Sequence, residues 1–563
     1  GAGNDRVFMT ASDKGKRQLV STDRNGEARR VHAEGDLVTS FQVAPDGNSF
    51  AFKQNYEAFV MPLLPGAQDV AVDTKGGALP VTKVSSGGAD YLGWSNDGAK
   101  LNWSLGPVLY SAATPSLFAS APPAEGAAKF APPTSGISLA MPVTADRPRG
   151  SIALTGARIV TMASTDGGII EDGVIVLADG RITAVGKRGA VAIPAAAKIV
   201  DVTGKTIIPG LVDAHAHGPA GTDELVPQQN WSMLQNLALG TTTIHNPSSR
   251  ASEIFAAAEM QRAGIIVAPR IFSTGEIIYG AKAADVYAQI DSLDDALAHV
   301  RRLKAQGAGS VKNYNQPRRE QRQQVVAAAR AEGMEVVAEG GSLFGMDMTI
   351  IADGNSTLEH NIPLRVFYKD VIDFFAESKT NYTPTLVVSY GGPAGDPYWR
   401  QATDIFAHPL LKAHTPPSEL AAAGARRVKA PEADYVDGDN AREALRVAKR
   451  GVLVSIGAHG QQAGIGSHWE LWSFVRGGMT PLEALRAGTI ISAQSLGMAR
   501  DIGSLEVGKL ADLLVLDADP VADIRNSDKI NRVMIGGRMY DPLTMNEVVS
   551  GTKPRLPYWW EAK

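Results

Sequence analysis

The chain of 563 residues contains no cysteine. That absence excludes disulfides, Cys-based zinc sites and a cysteine nucleophile. Nor is there an excess of positive charge, since 55 Lys and Arg stand against 59 Asp and Glu for a formal net charge of −4. Nucleic acid and anionic membrane surfaces are therefore excluded as principal partners. No window approaches the roughly 18 uninterrupted apolar residues of a membrane span. No Gly-x-Ser-x-Gly elbow occurs, which removes a Ser-His-Asp hydrolase. The runs "GGPAG" and "EGGS" lack the strand-turn-helix frame of a nucleotide fingerprint. The first residues carry neither Met nor signal-like n- and h-regions, as expected of an end made by processing or by design. What remains is ordinary globular material, 44% hydrophobic and 20% charged, long enough for two to four domains.

Residues 1–112 read as short strands between Gly, Asn and Asp breakers. "VAPDGNSFAF" and "GWSNDGAKLNW" share an Asp-Gly turn, and their aspartates, Asp46 and Asp97, lie 51 residues apart. That spacing suits one propeller blade. The unit resembles the repeat of a TolB-like β-propeller, which implies that the remaining blades lie on another segment or chain. A small independent β-sandwich is the alternative. Residues 113–150, rich in Pro, Ala, Gly and Ser, read as a linker.

From 151 the texture changes. Strand patterns over 151–205 resume at 504–545, as expected of a β-sandwich built from both flanks of an inserted domain, with a tail over 546–563. Within 206–503, eight apolar strand candidates alternate with helical patterns, the signature of a (β/α)8 barrel. The strands' last residues are chemically loaded. They include His215 and His217, His245, Lys312, Glu339, His360 and His459, among them five of the chain's ten histidines. Catalytic groups of such barrels sit at strand C-termini. His215 and His217 face the same side of an extended strand, so both rings reach one ion. Imidazoles with a carboxylate and a lysine suit one or two divalent ions, zinc foremost. Tyr279, Tyr314 and His468 are candidate substrate contacts together with His245.

"IIPGLVDAHAHG" resembles the first-strand signature of the amidohydrolase superfamily, and residues 480–524 resemble the close of its imidazolonepropionase- and dipeptidase-like branch. The resemblance covers about 151–545. It implies His-x-His on strand one, a carboxylated Lys or a Glu on strand four, His on strands five and six, and a strand-eight Asp that takes the proton from water. Two positions depart from it. Strand five ends in Glu339 where His belongs, and strand eight in His459 where Asp belongs. Together they read as an exchange that keeps four imidazoles (His215, His217, His360, His459), one carbamate (Lys312) and one carboxylate (Glu339). Total anionic charge near the ions is thereby preserved.

The expected protein is a metal-dependent hydrolase of an amide or related C–N bond, acting on a peptide-like or cyclic amide. His459 or Glu339 serves as proton acceptor, with the preference for His459. An aminohydrolase of a heterocycle and a non-catalytic propeller–barrel binding protein are the alternatives. A periplasmic or exported bacterial location and a homo-oligomer complete the expectations.

Overall fold

The computed structural model describes residues 5–64, 66, 70–74, 79–118, 130–281, 286–314, 316, 318–424 and 429–561. The chain forms two compact units. One comprises 1–142, 250–252 and 276–334, and the other 143–249, 253–275 and 335–563.

In the first unit, alternation of apolar and polar residues folds as three four-stranded sheets. Arg6–Asp13, Lys16–Asp23 and Arg30–Gly35 run antiparallel, with Val70–Ala71 added in parallel. Val38–Val43, Ser49–Gln54, Glu57–Pro62 and Thr82–Lys83 form the second sheet. Asp90–Trp94, Lys100–Leu105, Val108–Ala113 and Ile137–Ser138 form the third. The two Asp-Gly units make the same turn in sheets two and three. Ala44 N–H donates to Ser49 O and Ser95 N–H to Lys100 O, both across turns whose glycines, Gly47 and Gly98, have φ near +70°. In each turn the aspartate accepts a backbone N–H two residues on, from Asn48 to Asp46 and from Ala99 to Asp97. The expected linker is therefore not wholly unstructured. Residues 119–129 lie outside the described ones, but Ile137–Ser138 pairs with Val108 and Leu109 as an edge strand.

The same unit holds the parallel strands Ile277–Tyr279, Tyr287–Gln289 and Ser310–Asn313 and the helices Leu293–Gln306 and Arg319–Glu332. Ser292 opens the first helix with a capping box, and Gly307 and Gly333 end the two helices at positive φ. The β region is fastened here. Asn55 exchanges hydrogen bonds with the backbone of Gln289 at 2.8 and 2.9 Å. Arg302, buried, pairs with Glu276 at 2.8 Å and lies 3.9 Å over the Tyr56 ring.

The second unit contains one nine-stranded sheet drawn from both flanks. Ser151–Val160 and Ile169–Ala178 form its first hairpin, and Leu513–Leu516, Ile530–Ile535 and Arg538–Tyr540 its far side. Thr206–Pro209 joins the two, pairing with Arg158–Ile159 on one edge and with Leu513–Leu516 on the other. The expected strand "TIIPGLVDA" is thus two strands. After Gly210 the chain leaves the sheet, and Leu211–Asp213 starts the barrel instead. Gly210 is required there, because a Cβ would lie 2.1 Å from Thr242 Oγ1.

The barrel strands of this unit are parallel. Leu211–Asp213, Thr241–Asn246 and Arg270–Ser273 form one set, and Glu335–Glu339, Thr357–Glu359 and Asn381–Thr383 the other. Residues 453–456 lie between the sets, bonded to Tyr382 on one side and Ala214 on the other. Two strand expectations need correction. "TPTLVVSY", residues 383–390, shares only Thr383 with the strand Asn381–Thr383 and then coils into Leu386–Val388. "GVLVSIGAH" makes backbone bonds without a regular strand, through the bridge Tyr382↔Val454. Thr385 stands at φ +46°, and this left-handed turn ends the seventh strand early. Among the described residues no helix is long and apolar enough to cross a membrane.

Candidate metal centre

Parallel strands bring their C-terminal residues to one edge. In this unit that edge carries His215, His217, Glu339, His360 and His459. Ligand atoms of His215, His217 and His459 lie within 4.8 Å of one another, and so do those of His215, Glu339 and His360. His215 belongs to both groups. Its ring centroid is 4.8 Å from that of His217, 5.0 Å from His360 and 5.1 Å from His459.

Each imidazole is anchored on its outer nitrogen. His215 Nδ1 lies 2.6 Å from Glu359 Oε2, and His217 Nδ1 lies 3.2 Å from Asn246 Oδ1. His360 Nδ1 lies 2.6 Å from Thr385 Oγ1, and His459 Nδ1 lies 2.8 Å from Gln461 Oε1. An oxygen at Nδ1 holds the ring proton there and leaves Nε2 as a lone pair, the tautomer a metal requires. The Nε2 atoms of His215 and His217 stand 3.0 Å apart. His360 Nε2 is buried without a hydrogen-bond partner among the described residues, although Glu339 Oε1 is only 2.9 Å away. Imidazole nitrogens and a carboxylate oxygen crowded this closely are what a shared divalent cation resolves. The donor set fits such an ion.

The backbone under the site is tight. His360 and His459 have φ +68° and +58°, left-handed values that are uncommon outside glycine and collect at functional sites. A Cβ on Gly457 would fall 2.8 Å from His215 Cβ and 2.7 Å from Thr383 Cγ2. Below the rings lie buried carboxyls. Burial pushes Asp213 up to about 6, against hydrogen bonds from Ala458 N–H, His215 N–H and Ser467 Oγ–H. Burial likewise pushes Glu470 up to about 8, although it accepts from Val387 N–H at 2.7 Å. Beside the cluster, Tyr390 is pushed up to about 12, chiefly by burial and then by Glu339 and Asp347.

Five of the expected residues therefore meet within this unit. His468 is corrected. It is fully buried, with Nε2 bonded to Leu239 O at 2.8 Å and Nδ1 to Ser527 Oγ at 2.9 Å, so both nitrogens are used in packing. His245 is buried, and its Nδ1 donates to Ala214 O. Successive strand residues point to opposite faces, which is why Asn246, not His245, reaches His217. Lys312, Tyr279 and Tyr314 belong to the first unit. Lys312 is buried in Ser310–Asn313, and Tyr279, Tyr314 and Tyr287 form a mutual ring cluster at 5.6–5.7 Å. Sequence reasoning missed Glu359, Asn246, Thr385 and Gln461, the anchors of the rings. Each lies one or two residues from an expected site residue or at the end of the next strand, where an oxygen-bearing side chain is the available signal.

Residues 206–540 match the model of the amidohydrolase family. Imidazolonepropionase of Sphingopyxis alaskensis is 25% identical over 397 residues, 66% of this chain and 92% of the relative. Imidazolonepropionase of Symbiobacterium thermophilum is 26% identical over 408 residues, 66% and 91% respectively. Among solved structures, a Xaa-Pro dipeptidase aligns at a TM-score of 0.53 and 19% identity, over 70% of this chain and all of that one. Ochratoxinase of A. niger aligns at 0.53 and 17%, over 70% and 96%. These likenesses carry the barrel fold, and with the match spanning most of the chain this protein is a member of the amidohydrolase family.

Proposed function

We propose that the protein is a metal-dependent hydrolase of a C–N bond in a peptide-like or cyclic amide. The observation that carries this reading is the set of four imidazoles, each fixed on an oxygen at Nδ1, gathered with one carboxylate. Family membership and relatives named imidazolonepropionase support C–N hydrolysis, and the fold shared with a Xaa-Pro dipeptidase agrees with an amide substrate.

His215, His217, His360 and Glu339 would hold one or two zinc-like ions, with His459 as a further ligand. When bound, such an ion supplies Lewis acidity that polarises a carbonyl and brings water's acidity toward neutrality. This chain's own groups do the rest. Glu359 and Thr385 keep the ring protons of His215 and His360 on the outer nitrogens. Glu339 contributes the negative charge that the family places on strand eight. His459 has its Nδ1 proton held by Gln461 and its Nε2 among the ligand atoms, so Glu339 takes the proton from the attacking water and passes it to the leaving nitrogen. The test is metal content by mass spectrometry in wild type, Glu339→Gln and His459→Ala. Wild type is expected to hold at least one ion per chain and both variants substantially less. Full occupancy in both variants ends the exchanged-ligand reading.

A further inference from the structure

Tyr390 follows the turn Leu386–Val388 that carries the chain away from the strand Asn381–Thr383. Its ring centroid stands 5.4 Å from that of His360, tilted by 48°. One residue clamps its backbone at both polar groups. Tyr390 N–H donates to Asn361 Oδ1 at 2.6 Å, and Asn361 Nδ2 donates to Tyr390 O at 3.1 Å. Asn361 is buried and directly follows His360, so ligand and phenol are held in a fixed relation. The ring is half-buried, and among the described residues its hydroxyl has no hydrogen-bond partner.

We propose that Tyr390 is a substrate-contacting residue whose phenolic O–H donates to the oxygen of the scissile carbonyl, with Asn361 as its positioning residue. The proposal rests on the metal-dependent reading above. A preorganised donor aimed at a carbonyl whose oxygen gains charge acts most strongly in a water-poor site. A tyrosine that merely packs on His360 would leave ligand affinity unmoved when its hydroxyl is removed, which separates the two roles.

The experiment uses the whole protein loaded with cobalt(II) and titrated with acetohydroxamate, a carbonyl-bearing chelator, followed by the visible spectrum. Wild type is expected to bind the probe. Tyr390→Phe is expected to take up the same amount of cobalt and to bind about tenfold more weakly, the size of one lost charge-assisted hydrogen bond. Asn361→Ala is expected to show a comparable loss, with the double variant no weaker than the worse single one. Should Asn361→Ala lose cobalt, Tyr390→Phe alone decides. Unaltered affinity in Tyr390→Phe overturns the role of Tyr390 and leaves the metal reading standing. A wild type that takes up no cobalt, or takes it up and binds no acetohydroxamate, overturns both.

Discussion

Glu359 Oε2 lies 2.6 Å from Nδ1 of His215, both groups fully buried. A carboxylate at that distance fixes the ring's orientation and raises its basicity. Glu359→Gln is expected to weaken zinc binding about 10- to 100-fold while the fold persists. Competition with a metal chelator, alongside circular dichroism, measures both.

Gly457 allows the strand-eight segment to run against the first ligand strand, where any Cβ meets His215 and Thr383. Gly457→Ala is expected to displace His215 and lower metal content more than it lowers thermal stability. Equal metal content in wild type and variant would count against the close approach.

Burial pushes the Glu470 carboxyl up to about 8, far above the ordinary 4.5 of a glutamate. Between those values the unfolded chain is ionised there and the folded chain is not. The group's stabilising contribution is therefore complete below about 4.5 and lost as pH rises through 8. Glu470→Gln, which cannot ionise, is expected to gain stability relative to wild type as pH rises from 5 to 9. Urea unfolding at a series of pH values checks the sign.

Arg302 and Glu276 form a buried pair at 2.8 Å under Tyr56. Removing one partner strands the other charge in a poorly solvated place. Arg302→Ala is expected to destabilise the first unit by about 3–5 kcal/mol, read as a lower denaturant midpoint. In the second unit Leu514, fully buried, is expected to cost about 2–5 kcal/mol on Leu514→Ala.

The sequence exposed the clustered side chains better than their supports. His215 and His217 share a strand face by period two, and Glu339, His360 and His459 end their strands, so a pattern of positions was enough to find them. The anchors were opaque because their partners are distant in sequence. His215 meets Glu359 across 144 residues, and no local periodicity encodes that pairing. His468 misled because an imidazole whose two nitrogens both find partners in a helix-packing niche looks no different, as a letter, from one that faces a site. The left-handed backbone at Thr385, which shortened the seventh strand, also lacked the glycine that would have announced it. The double role of "TIIPG" was half visible, since its Pro-Gly marks a break but not a change of sheet.

The nine-stranded sheet has a consequence for how the protein is made. Lys205 meets Asp517 across 312 residues of chain, beside the pairing of Thr206–Pro209 with Leu513–Leu516. At about 5–20 residues per second, the ribosome needs roughly 15–60 s to deliver the second strand after the first. During that interval an apolar strand edge, ending six residues ahead of His215, waits uncovered. Late docking of this kind leaves that edge open longest in the nascent chain, and a truncation that removes Leu513–Leu516 is expected to leave it open for good.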